Sequence, residues 1–311
     1  MKRIDLSKLT TYSVKRRKSK VQTRAFASPP CKGRSFRRFY DGLPDFLAVR
    51  SLRAVATAIV AARRRRKPVI VMMGAHPLKV GLSPVLIELL RRGVVTGVAM
   101  NGAGIIHDFE IAFCGQTSEE VAEALADGSF GMARETAQCL NEAIYEGVGR
   151  GWGIGQSVGA MIERRRLPYR RLSVLGTCYR LGVPSTVHVA LGTDIIHQHP
   201  SCDGAATGEG TLRDFHRLVE QVSAIGHGGV VINLGSAVIL PEVFLKAVSI
   251  ARNLGFNVKD FTTAAFDQVF HYRPHQNVVT RPVLTGGRGY YLVGHHEIMV
   301  PLLAHAVLEQ L

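Results

Sequence analysis

Short apolar runs alternate along this chain with segments of helical periodicity, and that alternation leaves few folds open. The runs occupy 69–73, 94–100, 186–191, 230–233 and 258–262. Helical patterns fill the stretches at 84–92, 118–126, 132–146, 158–166, 172–181, 212–224 and 241–254, with a leading helix from Pro44 to about Arg66 and a closing one at 295–311. Strands that are apolar on both faces and separated by helices belong in a parallel sheet covered on both sides. The pattern therefore predicts a doubly wound α/β domain over 44–311, preceded by an extended basic arm at 1–43. Gly147, Gly149, Gly151, Gly153 and Gly155 do not meet the GxGxxG spacing and follow no strand, so they read as a flexible connection.

The 311 residues suffice for a large core, in one domain or two. No apolar run approaches the roughly 18–20 residues of a membrane helix, and the N-terminus has no apolar stretch that would make a signal peptide. The five cysteines lack CxxC spacing, which argues against a disulfide framework or a cysteine-rich zinc site and fits a cytoplasmic protein. The net charge of +15 is uneven: residues 1–67 hold 20 Lys/Arg against three acids, and residues 68–311 hold 19 against 21. Runs such as Lys15–Lys18 and Arg63–Lys67 could contact phosphate backbones, but a solvated arm and a basic helix end are the favoured explanation. No RNA-binding signature accompanies them. The expected partners are a small molecule and further copies of the chain, with no membrane and nucleic acid not favoured.

Three small or polar turns follow apolar runs: Asn101-Gly102-Ala103-Gly104 leading to His107 and Asp108, Thr193-Asp194 leading to His197 and His199, and Gly235-Ser236-Ala237. Loops after parallel strands meet at one edge of the sheet, where ligands bind. The glycines would let a backbone approach a phosphate or ribose, though a tight turn alone would also require them. His76, His107, His188, His197, His199, His295 and His296, with Asp108, Glu110, Asp194 and Glu297 nearby, leave a metal site open as a second reading.

Taken in order, these segments resemble the deoxyhypusine synthase family over roughly 68–108, 184–267 and 285–305. The family's Thr-Ala-Gly-Gly turn is matched by Asn101-Gly102-Ala103-Gly104, and its Thr-Asp turn by Thr193-Asp194. Its Gly-Gly-Gly turn is matched by Gly235-Ser236-Ala237. Its Asn-Thr-Ala strand end resembles Thr262-Thr263-Ala264 with Phe266-Asp267, and its final helix resembles Pro301-Leu302-Leu303. The resemblance implies a Rossmann-like NAD-binding fold, a homotetramer or dimer, and a transferase that oxidises a polyamine by hydride transfer and passes on a fragment through a lysine imine.

The chain departs from that pattern in its chemistry. Lys259 is its last lysine, so the imine-forming residue is missing. Arg281 and Arg288 cannot replace it, because a guanidinium stays protonated. Pro241-Glu242 stand where the family has a histidine. The sequence thus leans toward an NAD-binding enzyme for a small amine that does not use the imine route. Asn101, Gly102, Ala103, Gly104, Gly235, Ser236, Ala237, Thr263, Ala264 and Asp267 would hold the cofactor. Asp194 would anchor the amine, and His107 or His197 would be the general base. A metal-dependent hydrolase using the His/Asp cluster and a non-catalytic binding protein are the alternatives.

Overall fold

The computed structural model describes residues 4–311, which form two compact units divided between Arg50 and Ser51. Within the first unit the backbone is mostly exposed. It holds three short 3-10 turns, the first turn of the helix Leu47–Arg64 and one complete helix, Phe36–Asp41, in which Phe36 stacks on Tyr40 with ring centroids 5.8 Å apart.

The second unit is built on six parallel strands: β1 (Val69–Met73), β2 (Gly97–Asn101), β3 (Ser185–His188), β4 (Val230–Leu234), β5 (Phe261–Asp267) and β6 (Gly287–Val293). Their order in the sheet is β3-β2-β1-β4-β5-β6. The chain starts at the centre, winds out to β3, and returns beside β1 to wind the other way. That reversal sets the switch point between β1 and β4.

Alternation along β1 explains why its whole length is apolar. Ile70 and Met72 pack with Leu218, Val222, Phe244 and Val248 from the helices Gly204–Ser223 and Ile239–Asn253. Val69 and Val71 face Ile59, Leu86, Leu89, Val300 and Leu303 from the helices Leu47–Arg64, Ser83–Arg91 and His296–Leu308. Both faces of the strand are covered, as a parallel sheet requires. In the basic stretch after Ala62, Arg64 donates to the Gln310 carbonyl at 2.7 Å and Arg63 to the Arg92 carbonyl at 3.3 Å.

The structure corrects the sequence reading in three places. Residues 101–108 are not an open turn: Asn101 is the N-cap of a helix, Gly102–Cys114, its side chain accepting from the Gly104 amide at 3.0 Å. The glycine-rich stretch is not a flexible connection. Gly147 and Gly149 close the helix Arg134–Gly149, and Gly153 and Gly155 open the helix Ile154–Arg164. A Cβ at Gly155 would overlap the Ser185 carbonyl, and one at Gly153 would overlap the Asp214 carboxylate. Those glycines are close-packing positions. Finally, β5 begins at Phe261 and runs to Asp267, and β6 follows it at the sheet edge.

Candidate functional site

The carboxyl ends of β1, β2, β3, β4 and β5 carry two polar centres. The first is a cavity of about 260 Å³ whose walls include Lys79, Ala103, His107, Glu110, Thr193 and Asp194. It brings together three of the residues given a cofactor or catalytic role from sequence: Ala103, His107 and Asp194. Asp194 enters from the loop after β3, and its carboxylate lies directly over Gly102, where a Cβ would overlap Oδ2. Asp194 is buried and Oδ2 accepts no hydrogen bond. Burial pushes its pKa up from 3.8 to about 6.

His197 braces this loop. Its Nδ1 accepts from the amides of Gly192 and Asp194, both at 3.2 Å. That fixes the proton on Nε2, which is buried without a partner. Burial holds His197 below the ordinary histidine pKa. His199 lies outside the cavity and bonds Ser201 locally.

His107 is differently held. Thr117 donates its hydroxyl proton to Glu110 Oε2, so its oxygen must accept from His107 Nδ1, 2.6 Å away. Thr136 donates to the other Glu110 oxygen at 3.0 Å. The chain Glu110–Thr117–His107 therefore places the imidazole proton on Nδ1 and leaves the Nε2 lone pair available. Burial, first, lowers the His107 pKa; Glu110 opposes this and Lys79 reinforces it. The ring is a neutral base at neutral pH.

The second centre lies at the switch point. A Cβ at Gly74 would sit 2.6 Å from the Gly235 carbonyl oxygen, so two backbones meet there with no side chain between them. Gly235 adopts φ +64°, and a Cβ on it would lie 2.7 Å from His296 Cε1. Ser236 Oγ accepts from the Leu240 amide at the start of the helix Ile239–Asn253, and the Ser236 carbonyl accepts from Asn233 at 3.0 Å.

His296 Nε2 lies 3.0 Å from the Phe266 carbonyl, and a carbonyl only accepts, so this nitrogen carries the proton. His296 Nδ1 then accepts from His76 Nδ1 at 2.9 Å, and His76 Nε2 accepts from the Gln268 side-chain Nε2 at 3.0 Å. Burial and the neighbouring His296 lower the His76 pKa. Asp267, at the end of β5, accepts from the Gln268 amide at 2.8 Å and keeps its buried Oδ2 without a hydrogen bond. His271 Nε2 stands 3.8 Å from that oxygen.

The other sequence-selected residues fall elsewhere. Thr263 and Ala264 lie in the middle of β5, paired with Val231 and Ile232, and both are fully buried. Asp108 is buried beneath the helix Val174–Leu181, accepting from Ser173 Oγ and the Val174 and Leu175 amides at 2.5, 2.7 and 3.1 Å. Among the described residues, no group of three or more His, Cys, Asp or Glu is placed to hold a metal ion. Sequence reasoning placed His76 and His296 only in a possible metal cluster, and gave no role to Thr117 or Lys79. For His76 a signal existed, since it follows β1 by three residues.

No family model matches this sequence, and no curated protein matches it. Solved structures share its fold. A protein from Entamoeba histolytica assigned as a deoxyhypusine synthase has a TM-score of 0.54 at 13% identity, covering 89% of this chain and 94% of that one. A protein from Methanococcus maripaludis S2 assigned as LOR/SDH has a TM-score of 0.54 at 14% identity, covering 86% of this chain and 71% of that one. AgrE, solved as a ternary complex with ornithine and NAD+, has a TM-score of 0.52 at 14% identity, covering 83% of this chain. This chain spans about a third of the length of AgrE and of the cyanobacterial arginine dihydrolase ArgZ, at 33% and 34%. These identities establish a shared Rossmann-like doubly wound fold.

Proposed function

We propose that this chain is an NAD-binding enzyme that oxidises or transfers a small amine at the carboxyl edge of its sheet. The observation that carries the reading is the Asp194 carboxylate: buried, unpartnered at Oδ2, and on the wall of one cavity with the His107 base. A buried carboxylate lacking a partner calls for a cation with hydrogen-bond donors, and an alkylammonium supplies both.

NAD would be held at the switch point. The turn Gly235-Ser236-Ala237, which leads from the end of β4 at the switch point into the helix Ile239–Asn253, is where the dinucleotide would lie. The unpartnered Asp267 Oδ2 is an acceptor suited to ribose hydroxyls. Because Asp194 already covers Gly102, the Asn101–Gly104 segment serves the amine more directly than the cofactor. NAD would supply the hydride acceptor. His107 Nε2 takes the proton that leaves the amine nitrogen, and Lys79 helps to keep that ring neutral beforehand. AgrE, of the same fold, binds ornithine and NAD+ together, which supports pairing an amine with this cofactor.

Three expectations stand within this proposal: a polyamine as substrate, transfer as the second half of the reaction, and assembly into a homotetramer or dimer. The test is a panel of diamines, polyamines and basic amino acids with NAD, following NADH absorbance. Turnover of one of them by the native chain, and its loss in Asp194→Asn, is the expected result. Equal turnover by Asp194→Asn would overturn the assignment of that carboxylate.

A further inference from the structure

We infer that the opposite edge of the sheet carries a second ligand site, one suited to a free α-amino acid. A cavity of about 380 Å³ opens at the amino end of β3, lined by Tyr179, Val183, Pro184, Ser185, Arg217 and Glu220, with Gln156 and Gln221 beside them. It is larger than the cavity at Asp194.

Charge is the reason for the assignment. Arg217 and Glu220 stand three residues apart on the helix Gly204–Ser223, a spacing at which such residues usually pair. They make no ion pair with each other or with any described residue. The Arg217 guanidinium instead donates to Gln156 Oε1, which fixes its plane at the cavity wall. Gln221 adds a buried Oε1 with no hydrogen-bond partner, lodged against Gly97, where a Cβ would overlap it. One wall therefore offers a cation whose charge is felt by the buried Asp214 but which makes no ion pair, and the same helix offers an exposed carboxylate that makes none either.

A zwitterion satisfies both charges. Its carboxylate takes the Arg217 fork and its ammonium meets Glu220. A side chain would lie against Tyr179, Val183 and Pro184. The Cys178 thiol, also on the wall, is kept protonated by burial and takes no covalent part. The cavity stands at the start of β3, and Gln221 touches the start of β2. The far ends of these strands lead to Asp194 and to the cap at Asn101. The site is thus separated from the amine cavity by the length of a strand, and the inference does not rest on the proposed reaction.

The experiment is a thermal-melt screen of the full chain with each standard α-amino acid singly at millimolar concentration, followed by calorimetric titration of any that act. At least one should raise the melting temperature by a few degrees. Its affinity should fall about tenfold or more in Arg217→Gln and in Glu220→Gln, and be unchanged in Asp194→Asn. Glu220 is exposed, so Glu220→Gln leaves the fold intact if Arg217→Gln does not. No stabilising amino acid would overturn the inference. So would affinity unchanged in Glu220→Gln, or affinity lost in Asp194→Asn, which would place the ligand at the carboxyl edge.

Discussion

The carboxylate of Asp194 occupies the space a side chain on Gly102 would fill. One residue follows β3 and the other opens the helix after β2, two strands that are neighbours in the sheet. The contact explains why a glycine begins the helix Gly102–Cys114, and it fixes where the acid sits. Gly102→Ala should expel the Asp194 side chain from this position. We expect amine binding to fall by at least tenfold while the far-ultraviolet circular dichroism stays native, with a stability cost of about 1–3 kcal/mol from overpacking. Native-strength amine binding by Gly102→Ala would show that the contact does not position the acid.

Asp194 is costly to the fold. Its pKa is raised to about 6 from 3.8, so the folded state holds the proton more tightly than the unfolded one, and ionisation at neutral pH destabilises. Asp194→Asn should therefore raise stability at pH 7, by about 1–3 kcal/mol, while abolishing amine binding. Denaturant melts of both proteins check this, and the difference should shrink as pH falls through about 6 toward 4. A variant less stable than the native chain at pH 7 would contradict it.

The same direction holds for two acids that the site does not use. Burial raises Asp108 to about 6 and Asp214 to about 7, although each accepts main-chain amides. For all three groups stability is greatest below the unfolded pKa and declines as pH rises through the folded one. The destabilisation each acid causes, read as the difference in melting temperature between the native chain and its Asp→Asn variant, should shrink from pH 8 down to pH 5, while the buried histidines, whose pKa values are lowered, act on the native chain in the opposite sense. Amine affinity should drop below about pH 6 as Asp194 takes a proton.

Thr117 is the hinge of the Glu110–Thr117–His107 chain. Thr117→Val keeps its shape and removes the oxygen that receives the His107 proton. The imidazole then loses its fixed tautomer, and we expect turnover to fall about 10- to 100-fold with little change in substrate affinity. A shift in KM alone would indicate a packing role.

The sheet was legible because burial on both faces leaves its strands without polar interruption. β1 was read with its exact limits, and β4 to within one residue, since Val69–Met73 and Val230–Leu234 are buried throughout. β6 escaped because Gly287, Arg288 and Gly289 open an edge strand that is half exposed, so neither apolar run nor alternation marks it. The helix Gly102–Cys114 was hidden by its own glycines, which the Asp194 and Met100 side chains require and which local propensity reads as a turn. The cavity residues Ala103, His107 and Asp194 were found by their place after strands. The switch-point pairing of His76 with His296 joins residues 220 positions apart, and nothing local announces it.

The central claim is that the carboxyl edge holds NAD over Gly235 beside the amine cavity. Calorimetric titration of the native chain and of Gly235→Val with NAD tests it most directly, with circular dichroism confirming that both are folded. The account predicts saturable binding at micromolar to millimolar cofactor for the native chain and none for the variant, whose side chain would collide with His296. No binding by the native chain, or equal binding by the folded variant, would contradict it.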